Sequence, residues 1–155
     1  MHPEVIVEGL RYPEGLFRSA RDRCIYFVEW DGDTILTLRE GRAEVLFHTA
    51  AGDGPCGLGQ DPAGRLWATH YSARRVVRLD SQGKPDLVIE AYHGAPFRGP
   101  NQLVFDAHGG MYFTDSGDYE DDWRSGRPAG AVYYLSPRHD LLRVASGICF
   151  ANGLM

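Results

Sequence analysis

The sequence predicts an all-β fold, a β-propeller, from the type of its apolar segments and from a repeated motif. Short runs of aliphatic and aromatic residues bounded by Gly, Pro and Asp recur along the 155 residues, as is typical of antiparallel strands. A shared motif begins at Pro13, Pro55, Pro100 and Ala151, at intervals of 42, 45 and 51 residues. Repeats of about 40–50 residues with four short strands each are typical of propeller blades. No long segment shows a helical apolar period, so little helix is expected.

The repeat divides the chain into blade one (residues 13–54), blade two (55–99), blade three (100–150) and the start of blade four (151–155). Each of the three longer repeats contains four candidate strands. They lie at 15–17, 24–29, 34–38 and 44–48 in blade one and at 58–60, 66–69, 75–79 and 87–90 in blade two. In blade three they lie at 103–106, 111–114, 131–135 and 141–145. A further candidate strand, residues 4–8, precedes them and lacks a partner within these three blades; in closed propellers such a leading strand often completes the last blade. Propellers typically have about 4–8 blades, so three do not close a ring. The sequence indicates a piece of a longer protein, which the interrupted fourth repeat favours, or two copies that complete one ring.

Composition narrows the class of protein and of partner. The chain is 43% apolar and 24% charged, as expected of an ordinary globular domain. Its net charge of −5 and the lack of a basic stripe argue against a nucleic-acid partner. The sequence contains neither an apolar run long enough to cross a membrane nor a secretory signal. Its three cysteines are an odd number, which argues against a disulfide framework. A reducing, cytoplasmic location is therefore expected.

Oxygen-bearing side chains follow the first residue of three of the four motifs. They are Glu14, Asn101 and Asn152, and Cys56 takes the same position in the second motif. Because this position begins the innermost strand of a blade, we expect these side chains around one mouth of the central channel. Carboxylate and amide oxygens suit a divalent cation such as calcium, magnesium, manganese or zinc. The alternative is that Glu and Asn serve only the turn before the strand.

Further candidate residues lie at the ends of the second strands. Because these strands run antiparallel to the first, they end at the same mouth. Residues 30–31, 70–71 and 115–116 should therefore form its rim, and an acidic insertion, residues 118–127, leaves from the same side. Asp115, Asp118 and Tyr119 are candidate substrate contacts, with Arg98 as a further one. The alternative for the insertion is a solvated surface loop.

The motifs resemble those of the regucalcin/gluconolactonase/luciferin-regenerating-enzyme-like (senescence marker protein) family. The resemblance rests on residues 13–15 (Pro-Glu-Gly), 100–101 (Pro-Asn), 112–115 (Tyr-Phe-Thr-Asp) and 152–154 (Asn-Gly-Leu), and it covers the chain as the N-terminal half of a family member. It implies a six-bladed propeller that binds one divalent metal in its channel and hydrolyses a sugar lactone.

In that resemblance, Glu14, Asn101 and Asn152 match three of the four metal ligands. The fourth ligand is an Asp in a Pro-Asp-Gly motif about one blade further on, so it is expected beyond residue 155. That Asp is also the residue expected to transfer a proton. Gln102 stands where the family usually has Asp, which departs from the pattern beside Asn101.

Other functions stay open, since a propeller fold does not by itself determine function. A non-catalytic binding or metal-binding module is the main alternative, and a strictosidine-synthase-like or other lyase propeller fits the Glu-Asn-Asn set less well.

Residues 52–57 match the Gly-x-Gly-x-x-Gly dinucleotide fingerprint, but the turn at residues 61–64 follows them instead of a helix, so we do not expect a dinucleotide site there. We expect Cys24 and Cys149 to be buried core residues.

Overall fold

A computed structural model of the chain describes residues 2–155 as three four-stranded antiparallel sheets that follow one another along the sequence. The first sheet contains β1 (Pro13–Arg18), β2 (Ile25–Glu29), β3 (Thr34–Arg39) and β4 (Arg42–His48). The second contains β5 (Pro55–Gln60), β6 (Leu66–His70), β7 (Arg75–Leu79) and β8 (Pro85–Ile89). A two-stranded hairpin, β9 (Ala91–Tyr92) and β10 (Ala95–Pro96), leads to the third, which contains β11 (Pro100–Phe105), β12 (Met111–Asp115), β13 (Gly130–Leu135) and β14 (Leu141–Ile148).

The three sheets pack face to face through two separate cores. The core between the first and second sheets is formed by Tyr26, Val28, Ile35, Leu58, Ala68, Val77 and Leu79. The core between the second and third sheets is formed by Trp67, Val76, Phe97, Leu103, Met111, Phe113, Ala131, Tyr133 and Leu135. Strand β5 contacts both β1 and β11, so the first strand of each sheet lies on the inner side of the stack. This is the arrangement of propeller blades, and it confirms the predicted all-β fold; the exact blade boundaries in the sequence stay a prediction.

Helical structure within residues 2–155 is limited to two single turns. A 3₁₀ turn covers Trp30–Gly32, and a π-helical turn covers Tyr119–Trp123 inside the acidic insertion. In this part of the chain no helix has the length and apolar character needed to span a membrane.

The segment before the first sheet pairs with no strand of residues 2–155. Residues 2–10 are not assigned to a strand, as expected of a strand that has no partner in these three sheets, so the strand at 4–8 stays a prediction. The segment instead lies over the outer face of the first sheet, where it shares an apolar crevice with Leu16, Ile25 and Phe27. Only Val7 and Leu10 of this segment are half-buried, whereas Val5 and Ile6 are exposed, so little of the segment is buried against the sheet.

Candidate metal and substrate site

The three predicted metal ligands lie together in one cavity. Glu14, Asn101 and Asn152 line a cleft of about 440 Å³, together with Tyr12, Trp30, Cys56, Tyr71, Tyr119, Glu120 and Phe150. Residues 2–155 contain no group of three or more His, Cys, Asp or Glu side chains that could hold a metal. The donors in this cavity are instead mainly a carboxylate and two amides, which fits an oxygen-preferring divalent cation.

A β-bulge follows the same position in each first strand. The strands pair regularly at their first residue, and the register then shifts between Glu14 and Phe17, between Pro55 and Leu58, and between Pro100 and Leu103. Bulges bend a strand and re-aim a side chain, and they are frequent next to active sites. The repeated bulge therefore explains how Glu14, Cys56 and Asn101 reach one cavity from three different sheets.

Close contact between neighbouring first strands requires glycine directly after two of these residues. A Cβ on Gly15 would collide with the carbonyl oxygen of Cys56, and a Cβ on Gly57 would collide with that of Asn101. Gly15 also has a φ of 58°, in the left-handed region that favours glycine. These two glycines allow the ligand-bearing strands to approach one another around the channel.

Hydroxyl groups of one sheet hold the backbone of the cavity-lining residues that follow it. Thr69 Oγ1 accepts a hydrogen bond from Gly57 N (2.6 Å) and donates one to the carbonyl oxygen of Asn101 (2.5 Å). In the third sheet, Thr114 Oγ1 donates to the carbonyl oxygen of Asn152 (2.7 Å) and Ser116 Oγ donates to that of Ala151 (2.5 Å). Asn101 and Asn152 are thus each held by the sheet that precedes them.

Residues 151–154 occupy the place at which a next first strand would begin. The hydrogen bond from Thr114 to the carbonyl oxygen of Asn152 repeats the one that Thr69 makes with Asn101 of the third sheet, and Ser116 adds a second bond to Ala151. A second copy that docked its first sheet here would have to displace Asn152. Closure of a ring by two copies stays a prediction, and this contact argues against it.

Aromatic side chains form two clusters in the cavity lining. In one cluster, Trp30 makes edge contacts with Tyr12 (centroids 5.9 Å apart) and Tyr71 (6.5 Å). In the other, Tyr119 stacks on Trp123 (4.8 Å) and meets the edge of Phe150 (6.2 Å). Apolar faces of this kind suit the C–H face of a ring-shaped ligand.

Tyr12 and Phe150 line the cavity although they were not predicted to do so. Each directly precedes a repeat motif, and each has positive φ, 50° and 54°, close to the 57° of Gly54 at the same position in the second repeat. An aromatic residue with positive φ is rare in proteins in general. Where such backbone conformations occur, they cluster at functional sites. An aromatic residue just before Pro13 and Ala151 was the signal available in the sequence.

Asp115 has its carboxylate committed to the backbone. The side chain is buried and accepts hydrogen bonds from Gly99 N (2.7 Å) and Arg98 N (3.0 Å). Glu29 takes the corresponding position at the end of the second strand of the first sheet, and its carboxylate accepts a hydrogen bond from Arg11 N (2.9 Å). Both carboxylates hold the loop that leads into a first strand, and Asp115 is not among the residues that line the cavity.

The acidic insertion is held by ion pairs around a buried carboxylate. Asp122, 1% exposed, accepts from Arg98 Nε (2.5 Å) and Asp118 N (2.8 Å), and Arg127 Nε lies 2.8 Å from its other oxygen. Burial acts to raise the pKa of Asp122, but the hydrogen bonds from Arg98 and Asp118 N keep that pKa below its usual value. Asp118 caps the π-helical turn and pairs with Arg74 (2.9 Å).

Of the four predicted substrate contacts, Tyr119 lines the cavity. The side chains of Asp115, Asp118 and Arg98 are engaged within the chain, and a substrate role for them stays a prediction. Glu120, from the same turn as Tyr119, lines the cavity and was not predicted.

The three cysteines differ in environment. Cys56 is buried in the cavity, with its Sγ donating to Glu14 Oε2 at 3.6 Å, and burial together with the Glu14 carboxylate raises the pKa of its thiol. Cys24 is half-buried. Cys149 is exposed because it follows the end of β14, so the prediction of a core position for Cys149 is wrong.

Comparison with known proteins assigns the family. The family model of the SMP-30/gluconolactonase/LRE-like region matches residues 12–155. The chain belongs to this family. The resemblance drawn from the three motifs is therefore confirmed at family level.

Relatives of the chain within this family include two curated bacterial proteins. A gluconolactonase of Zymomonas mobilis is 30% identical over 107 residues, which are 65% of this chain and 30% of that protein. Lactonase drp35 of Staphylococcus haemolyticus is 29% identical over 118 residues, 75% of this chain and 31% of that protein. The chain matches about a third of the length of each.

Solved structures give the same picture of the fold. A gluconolactonase from Xanthomonas campestris superposes with a TM-score of 0.78 at 25% identity, over 91% of this chain and 50% of that one. Virginiamycin B lyase from Staphylococcus aureus superposes with a TM-score of 0.64 at 18% identity, over 91% of this chain and 46% of that one, which shows a shared fold alone. The chain thus spans about half the length of these structures.

Proposed function

We propose that this chain supplies part of the active site of a metal-dependent sugar lactone hydrolase of the gluconolactonase type. The observation that carries the proposal is the convergence of Glu14, Asn101 and Asn152 on one cavity from three separate repeats. Family membership and the lactonase names of the curated relatives support it.

In this proposal, Glu14, Asn101 and Asn152 hold a divalent cation through one carboxylate and two amide oxygens. A bound divalent cation supplies Lewis acidity toward the lactone carbonyl and lowers the pKa of a bound water. Because the two amides are neutral, they orient the cation without cancelling its charge. Calcium, magnesium, manganese and zinc all accept such oxygen donors.

In this proposal the aromatic side chains of the cavity bind and orient the substrate. Trp30, Tyr71 and Tyr119 line the cavity together with the donor cluster, so a lactone bound there would pack its ring against their faces. Tyr119 is held by Trp123 and by the turn that Asp118 caps. The general base is the Asp that the family resemblance places beyond residue 155, and Glu120 is the further carboxylate in the cavity.

Binding of terbium(III) tests the metal site directly. Trp30 lies in the cavity and would sensitise terbium luminescence, so the chain should give saturable emission when Tb³⁺ is added. Glu14→Gln and Asn152→Ala should each weaken binding by roughly tenfold or more, since each removes a ligand and Glu14→Gln also removes the only charge of the oxygen set. Glu44→Gln, an exposed carboxylate on β4, is the matched control and should leave the titration unchanged.

Lactone hydrolysis separates the enzyme from a binding module. Gluconolactone and related aldonolactones would be followed in a pH-stat with each of the four cations and with chelator. Cation-dependent acid release that Glu14→Gln abolishes supports the lactonase. Tight cation binding with no acid release would favour a non-catalytic metal-binding module, and unchanged Tb³⁺ binding in both ligand variants would refute the site.

A further inference from the structure

Cys56 takes the ligand position of the second repeat. It follows Pro55 as Glu14 follows Pro13 and Asn101 follows Pro100, and the β-bulge lies at the same place in all three strands. Its side chain is 5% exposed and lines the same cavity as the three oxygen donors. The repeat therefore places a sulfur in the ring of donors.

The separation of this sulfur from Glu14 matches that of two ligands of one metal ion. Cys56 Sγ lies 3.6 Å from Glu14 Oε2. In tetrahedral zinc sites the Zn–S bond is about 2.3 Å and the Zn–O bond about 2.1 Å, which puts the two ligand atoms about 3.6 Å apart. At a right angle, as in octahedral sites, the same bond lengths put them about 3.1 Å apart. The observed pair thus has the spacing of a tetrahedral S,O pair before any metal is bound.

We propose that Cys56 is a further donor of this site, beside Glu14, Asn101 and Asn152, and that it makes the site selective for thiophilic divalent cations of the zinc type over calcium and magnesium. Thiolate ligands favour zinc and similar ions, whereas calcium and magnesium take oxygen. The inference rests on the metal site of the proposed function and specifies its cation class. On binding, the Cys56 S–H bond breaks, its proton leaves to solvent, and the sulfur electron pair forms the bond to the metal.

The chain already contains the charge balance for such a cation. A Cys56 thiolate and the Glu14 carboxylate together neutralise a 2+ ion, and the Asn101 and Asn152 amides complete four donors without further charge. Without the thiolate, Glu14 is the one charged donor of this set, and a second carboxylate, such as Glu120 or the Asp expected beyond residue 155, would have to balance the cation.

Cobalt(II) is the probe, because thiolate coordination gives an intense near-ultraviolet charge-transfer absorption that oxygen ligands do not give. The reduced chain should develop this band on titration with Co²⁺, and Cys56→Ser should lose it while still binding Tb³⁺. Zn²⁺ affinity should fall by roughly tenfold or more in Cys56→Ser, with Ca²⁺ affinity unchanged. Cys24→Ser and Cys149→Ser are the matched controls and should retain the band, since neither residue lines the cavity.

The outcomes separate this inference from the metal site itself. Co²⁺ binding without the charge-transfer band would overturn the role of Cys56 and leave an oxygen site intact. A band that persists in Cys56→Ser and disappears in Cys149→Ser would assign the sulfur elsewhere and also overturn it. Failure of both Co²⁺ and Tb³⁺ to bind would overturn the site together with the role of Cys56.

Discussion

His70 ends strand β6 with its imidazole buried between the first and second sheets. It is 1% exposed, and its Nδ1 lies 3.0 Å from Asp53 Oδ2, which also accepts from Arg75. Burial lowers the pKa of His70 to about 4, below its ordinary value of 6.5. The side chain is therefore neutral at physiological pH and resists protonation in the folded state.

Because the unfolded chain binds this proton more readily, the folded state should lose stability as the pH falls from 6.5 toward 4. From pH 7 to pH 5 the free energy of unfolding should decrease by about 2 kcal/mol through this one group. Urea denaturation at the two pH values measures the loss. Aspartates and glutamates ionise below this window, so they contribute little to it.

The matched pair for this measurement is His70→Gln and His48→Gln. Glutamine at 70 removes the titrating group, so the pH dependence between 7 and 5 should nearly vanish. His48 is exposed, and its replacement should leave the dependence unchanged. An equal slope in His70→Gln and the unsubstituted chain would show that His70 is not the responsible group.

At the scale of elements, the acidic insertion depends on Asp122. Its buried carboxylate joins Arg98, Arg127 and Asp118 N, whereas the neighbouring Asp121 is 71% exposed and lies 3.8 Å from Arg98. Asp122→Asn should destabilise the fold by about 1–3 kcal/mol, because it leaves charged donors without their acceptor. It should also speed proteolysis within residues 118–127.

Asp121→Asn is the control for the insertion. An exposed ion pair contributes about 0–1 kcal/mol, so this variant should retain both its urea midpoint and its resistance to proteolysis. Equal proteolysis of the two variants would indicate that the insertion is held by its aromatic contacts and not by Asp122.

Most elements of the fold could be predicted from the sequence, since apolar runs and turn residues alternate regularly. The first strands begin earlier than predicted, at Pro13, Pro55 and Pro100, because a bulge separates the paired start of each strand from its apolar run. The residues between the strand start and the bulge are paired through their backbone, and their side chains show no apolar alternation from which the strand start could be predicted. The hairpin β9–β10 has only two residues per strand and gives no period to detect.

For the site, the motif position predicted which residues converge, but not how nearby side chains are used. Asp115 and Arg98 are polar residues near the mouth, and either could face a ligand or its own chain. Their partners, Gly99 N and Asp122, are distant contacts that spacing within the sequence does not encode. The motif position therefore predicted which side chains share the cavity, and it left open what Asp115 and Arg98 contact.

At the scale of the whole molecule, Thr69 connects the second blade to the third. Its hydroxyl is fully buried and satisfies both Gly57 N and the carbonyl oxygen of Asn101. Thr69→Val keeps the shape and leaves two buried backbone groups unpaired, which should cost about 1–3 kcal/mol in the free energy of unfolding. Because the Asn101 backbone is then no longer held, Tb³⁺ affinity should fall as well.

Thr37→Val provides the comparison. Thr37 is also buried, but its hydroxyl donates to Ile25 O (3.3 Å) within the first sheet. Some loss of stability is expected there, with Tb³⁺ affinity unchanged. If both variants bind Tb³⁺ as the unsubstituted chain does, the hydroxyl of Thr69 does not position Asn101.

The hydroxyls of Thr114 and Ser116 hold residues 151 and 152 although these residues belong to no sheet of their own. The direction of this contact has a consequence for synthesis on the ribosome, where N-terminal segments fold first. A ligand of a later blade is fixed as soon as the earlier blade has formed, before the later blade exists. The channel would thus be assembled in the order of translation, each nascent segment being received by a surface that is already folded.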